Sequence, residues 1–213
     1  MIILELTMLN KWNLPVATNR SLKKAALNLT LSLAVTMTVG VTAALAASPP
    51  AEAQSSYTAE QASMLGGKLS FSVPSGYVQQ PETQDPRATA MGVTSASYLN
   101  KAEKSLLITA QVPLAVDADS DNDQTALSGM VTGTEMQQTS DYKDYKKLGE
   151  KSIVKANGLG LRQLDASMSL ADKPMLATTV AAASGTRSAI VTVLTNADNP
   201  KGHAALVKTV IGE

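Results

Sequence analysis

The chain has 213 residues, 44% of them hydrophobic, yet only Trp12, Phe71 and five tyrosines are aromatic, so its core has to be built from aliphatic side chains. Eighteen basic side chains balance eighteen acidic ones, which leaves no positive excess for tracking nucleic-acid phosphates. The absence of cysteine excludes a disulfide framework, a thiol nucleophile, a thiolate metal site and a lipid-attachment cysteine.

The first quarter reads as an export signal. Arg20, Lys23 and Lys24 precede residues 25–47, an apolar run with no charge, and small residues follow it. "ALA" at 44–46 and "AEA" at 51–53 both have the small-x-small pattern of a signal peptidase site, so cleavage is expected after Ala46 or Ala53. The start is Met1 or Met8, and Trp12 belongs to the part that is removed. Taking away residues 1–53 removes Lys11, Arg20, Lys23, Lys24, Glu5 and Glu52 and leaves 14 basic and 16 acidic side chains. The alternative is an uncleaved anchor in the inner membrane: a helical run at about 1.5 Å per residue crosses a hydrocarbon core of about 30 Å with roughly 20 residues, and the basic flank would stay on the cytoplasmic side.

From residue 54 the pattern becomes alternating. In "KLSFSVP", Leu69, Phe71 and Val73 point one way and Lys68, Ser70 and Ser72 the other, which is a half-buried strand ended by Pro74 and Gly76. Residues 91–99 and 104–114 read as a hairpin around "NKAE". Leu127, Met130, Val131 and Thr134 fall at helical spacing behind Asp121 and Asp123, either of which can cap; Gly129 and Gly133 weaken that helix. Asn157-Gly158 joins two apolar runs as a hairpin turn, and Ser184-Gly185-Thr186 joins two more. Finally, Asn199 caps, Pro200 takes the first helical position, and His203, Leu206, Val207, Val210 and Ile211 form one stripe. Strand, hairpin, helix, four-strand antiparallel meander and terminal helix make one α+β domain over residues 54–213, with an antiparallel sheet packed between helices.

Leu65, Gly67, Lys68, Leu69, Ser70, Phe71, Ser72, Val73 and Pro74 resemble the opening strand of the DcrB family of bacterial envelope proteins. The resemblance extends to strand order and terminal helix over residues 64–211. It implies a PsbP-like α/β/α sandwich in the periplasm or at the inner membrane of Gram-negative bacteria, a part in envelope integrity and phage sensitivity, and no catalytic residues. Family members are typically lipoproteins with a cysteine at the signal's end; alanines and serine stand here, so lipid anchoring is excluded.

Several chemistries suggest themselves and fail on spacing. Asp117, Asp119 and Asp121 alternate like calcium ligands, but an EF-hand loop needs glycine at Asn122 and an acid at Ser128, so carboxylates serving a helix start are preferred. Ser152 and Lys155 with Ser120, Asp121 and Asn122 carry penicillin-binding elements in reversed order without K-T-G. His203, the only histidine, is expected as a packing residue of the last helix, and zinc would lack ligands. Residues 141–151 interleave Tyr142 and Tyr145 with Lys143, Lys146 and Lys147; acids cancel the charge, so a solvated connection into the next strand is expected. Tyr142, Lys143, Tyr145 and Lys146, with Tyr77 and Tyr98, are the candidate binding residues. The expectation is an exported periplasmic protein without catalytic activity or cofactor. Its partner would be a protein, peptide or envelope component, not nucleic acid, and it would touch the membrane only through a retained N-terminal segment. A hydrolase using serines and carboxylates is the alternative.

Overall fold

A computed structural model describes residues 60–81 and 86–212; the signal or anchor segment and both cleavage sites lie outside them. Two short strands, β1 (Gln61–Met64) and β2 (Leu69–Ser72), form a separate hairpin. The other seven are β3 (Val78–Gln79), β4 (Thr94–Asn100), β5 (Ser105–Pro113), β6 (Lys143–Val154), β7 (Gly160–Leu170), β8 (Lys173–Ser184) and β9 (Arg187–Asn196). They make one sheet in the order β3-β4-β5-β9-β8-β7-β6, antiparallel at every step. The helices are α1 (Pro86–Ala90), α2 (Gln124–Asp141) and α3 (Pro200–Ile211).

The sheet is buried from both sides. Val131 of α2 packs on Leu164 and Ala181. Leu206, Val207 and Val210 of α3 pack with Leu161, Val180 and Val191, and with Leu69 and Phe71 of the β1–β2 hairpin. Val180 and Ala181 are neighbours on β8, so their side chains leave opposite faces of the sheet. The fold is therefore an α/β/α sandwich, α2 on one face and α3 with the hairpin on the other. Central strand β8 is occluded on both sides over residues 177–183, and its alanines let both helices approach closely. The core is aliphatic apart from Phe71 and tyrosine rings.

The helix ends follow their side chains. Asp123 Oδ1 accepts from Thr125 N–H at 2.9 Å and Ala126 N–H at 3.0 Å, so Asp123, not Asp121, caps α2. At Gly129 and Gly133 an added Cβ would meet nothing within 4 Å, so packing does not require either glycine, and each weakens the helix relative to alanine. Asn199 Oδ1 accepts from Gly202 N–H at 3.0 Å, and Gly212 at φ 77° closes α3 by donating to Lys208 O at 2.8 Å.

One expectation is corrected. Residues 143–151 are not a connection but the first part of β6, a twelve-residue edge strand. Both of its faces are largely exposed, and register shifts between Lys143 and Lys146 and between Lys147 and Gly149 break the alternation by which a strand is recognised. β1, β3 and α1 also lack a readable pattern, being only two to five residues long.

Candidate functional site

Two strand edges face one groove. Among the described residues β1 pairs only with β2. Val73 N–H donates to Glu60 O at 2.7 Å, so by strand alternation the backbone groups of Ala62 and Met64 turn towards β2 and those of Gln61 and Ser63 turn away from it. Leu65, next in the outward set, donates its N–H to Gln111 Oε1 at 2.8 Å. Gln111 of β5 thereby closes one end of the edge. Across the groove, β3 covers β4 only at Tyr98 and Leu99, and Gln80 N–H reaches Ser97 O at 2.8 Å. Ser97 therefore faces outward, and so does Ser95, beside which no strand lies among the described residues.

The groove between these edges has a volume of about 240 Å³ and is lined by residues 61–64, 94–96 and 98 with Thr109, Ala110 and Gln111. None of these described side chains is charged. Tyr98 is 5% exposed and donates its hydroxyl to Glu60 Oε1 at 3.1 Å, which makes the ring a fixed part of the groove wall. A second hollow, about 660 Å³, lies between β3 and the β4–β5 turn and carries Lys101 and Glu103.

Of the six predicted binding residues the four tyrosines fall into two packing groups, and the two lysines are exposed. Tyr142 and Tyr145 lie half-buried against Leu106, Ala166, Met168, Ala177 and Leu194. Burial raises both hydroxyl pKa values, helped by Asp141 at Tyr142 and by Glu135 at Tyr145. Lys143 reaches Asp172 at 3.5 Å in full solvent, and Lys146 is exposed. Tyr77 packs against the α3-side core, where its hydroxyl meets Ser105 Oγ at 2.6 Å and burial again raises its pKa. Tyr98, also in that core, is the one predicted residue that lines the groove.

The acidic and serine motifs are taken up by internal bonds. Asp121 accepts from Lys68 Nζ at 2.7 Å and Ser184 Oγ at 2.7 Å, and those two bonds hold its carboxyl below the usual range. Asp123 is likewise lowered by helix amides, Ala126 first, and by Asp119 N–H at 3.1 Å. Asp117 is exposed, and no group of three or more metal-ligating side chains converges among the described residues. Ser152 Oγ accepts from Arg162, while Lys155 Nζ donates to Ile211 O at 2.7 Å at the end of α3. Ser120 Oγ receives Asn122 N–H at 3.3 Å.

His203 belongs to a polar chain that periodicity did not reveal. Gln163 Nε2 donates to Asp165 at 2.8 and 2.9 Å, Thr178 Oγ1 donates to Asp165 Oδ1 at 2.6 Å, and His203 sits with Nε2 2.8 Å from Thr178 Oγ1 and Nδ1 3.0 Å from Thr195 Oγ1. Desolvation lowers the imidazole pKa against the opposing pull of Asp165. The legible signal was Gln163 and Asp165 at alternate positions of one strand, hence on one face, with Thr178 paired opposite Asp165.

No family model matches the chain, and none of the curated proteins does. Among solved structures it is similar to a Pseudomonas aeruginosa protein of unknown function, PA94 (12% identity, 72% of this chain and 93% of that one, TM-score 0.42). It is also similar to the cyanobacterial PsbP protein, CyanoP, of Synechocystis sp. PCC 6803 (14% identity, 72% and 89%, TM-score 0.47). A third likeness is to LpqN, involved in cell envelope biogenesis in Mycobacterium tuberculosis (11% identity, 67% and 79%, TM-score 0.44).

Proposed function

We propose that this chain is an exported, non-catalytic envelope protein of the DcrB type that holds a protein or peptide partner in the groove between β1 and β4. The observation that carries the reading is the groove itself: an uncharged surface hollow walled by strand edges whose outward backbone groups meet no strand among the described residues. The export pattern before residue 54 and the opening-strand resemblance over residues 65–74 support the compartment. The hydrolase reading has its best constellation at Thr178, His203 and Asp165. Thr178 is 1% exposed with its hydroxyl engaged at both ends, which keeps it from any substrate.

In-cell photo-crosslinking tests the reading. A photoreactive amino acid at Thr94, which shares the face of Ala96 and Tyr98, is expected to give a discrete protein adduct in the periplasmic fraction, and the same group at exposed Leu148 on β6 is expected to give none. Equal labelling from both positions, or none from either, contradicts it. Intact mass of the fractionated protein tests export: a soluble species beginning at Ala47 or Gln54 is expected, and a membrane-bound species retaining Trp12 would make it a tethered accessory factor.

A further inference from the structure

The two margins of the main sheet are treated in opposite ways. β6, the long outer strand, carries Lys143, Lys146, Lys147 and Lys151 and two irregular registers, devices that keep another strand from adding to a sheet edge. Lys147 is fixed there by Glu135 at 2.9 Å and Glu150 at 2.8 Å. The opposite margin carries no lysine on β3 or β4. β3 pairs with β4 only at Tyr98 and Leu99; beside Thr94–Ala96 no strand lies among the described residues, and the facing edge of β1 offers Gln61 and Ser63. An edge with no described strand beside it, uncharged and backed by a hollow, has the surface that strand addition requires.

We infer that the occupant of the groove is an extended, uncharged peptide segment of a partner protein, held by strand addition to the free edges of β1 and β4. This rests on the binding reading above and specifies its mode. The outward N–H and C=O groups of Gln61 and Ser63 on one side, and of Ser95 on the other, supply the main-chain hydrogen bonds. Small side chains of the segment face Ala96 and Thr109 on the floor. No lining side chain offers a counter-charge, and the Glu60 carboxylate beside the wall is already engaged by the Tyr98 hydroxyl, so a charged residue in the segment is disfavoured by desolvation. Gln111, tied to Leu65 N–H, stops the segment at one end.

The test titrates the isotope-labelled full chain with a library of capped peptides of about five residues drawn from Ala, Ser, Thr, Val and Gln, a length that spans the edge at roughly 3.3 Å per residue. At saturation by a binder, amide exchange at Gln61, Ser63 and Ser95 is expected to slow at least ~10-fold, with Lys151 on β6 unchanged. Alternate N-methylation of the peptide, which removes its donors, is expected to abolish binding. Ser95→Pro removes an outward N–H and no bond to β5, so it is expected to weaken binding in a folded protein. Ser95→Lys, which reproduces the guard of β6, should do the same without a backbone constraint.

Binding that leaves those amides unprotected, or that survives N-methylation, overturns strand addition while the binding reading stands. A library with no binder overturns it too, and the crosslink from Thr94 then decides whether the binding reading also falls. Dimers that form with concentration and vanish in Ser95→Lys would place a second copy in the groove and overturn the partner segment.

Discussion

Thr178 Oγ1 gives its only proton to Asp165 Oδ1 at 2.6 Å and stands 2.8 Å from His203 Nε2, so the imidazole donates there, and in the neutral form that desolvation favours Nδ1 accepts from Thr195. His203 is thereby fixed in one neutral tautomer between two nearly buried threonines, although it and Asp165 share no direct bond.

This arrangement sets a pH dependence. The pKa of His203 is lowered from its ordinary value of 6.5. The unfolded chain therefore binds more protons than the folded one between that value and the lower folded one, and stability falls as pH drops through this window. Urea unfolding at pH 7 and pH 5 is expected to show a loss in the native protein that shrinks in His203→Gln. An equal loss in both proteins would assign the acid sensitivity elsewhere.

Leu161 is fully buried at the junction of β7, α3 and the hairpin core. Leu161→Ala is expected to cost about 2–5 kcal/mol, the range for a truncated core leucine that leaves a cavity, read as a lower urea midpoint at unchanged slope. A cost under about 1 kcal/mol would mean that the two-sided core is loosely packed.

The cap of α3 is separable from its packing. Asn199→Ala is expected to cost about 0.5–2 kcal/mol, because Gly202 N–H loses its acceptor while the stripe from Leu206 to Ile211 stays in place. Thermal unfolding of this variant beside Asn199→Asp, which retains an acceptor, checks the assignment: only the alanine variant should melt lower.

The lysines of β6 are expected to protect against aggregation more than they stabilise the fold. Replacing Lys146 and Lys151 by threonine should leave the melting temperature nearly unchanged and raise light scattering during prolonged incubation. Lys147 is left in place because Glu135 and Glu150 engage it.

What the sequence disclosed depended on burial. β2, the β4–β5 hairpin, the β7–β9 meander and α3 were legible because one or both faces of each are occluded and their apolar residues keep period. β6 was misread in part because an exposed edge strand has no face that must be apolar, and its bulges displace what alternation remains. The candidate groove was not legible for a different reason. Its functional groups are backbone amides and carbonyls of Gln61, Ser63 and Ser95, which every residue carries, and their availability follows from where β3 stops. Tyr98 alone among the predicted binding residues reaches it. The polar chain from Gln163 to Thr195 joins four separate elements; Gln163 and Asp165 at alternate positions of β7 were its one legible sign, because Thr178, Thr195 and His203 come from other segments.

The β1 and β4 edges, and not β6, are expected to receive the partner. Hydrogen exchange read by mass spectrometry, on the full chain in buffer and in periplasmic extract of a Gram-negative host, compares the two margins in one experiment. Slower exchange in residues 61–64 and 94–97 with β6 unchanged is the predicted result. Protection confined to residues 143–154, or no difference at either margin, would contradict it.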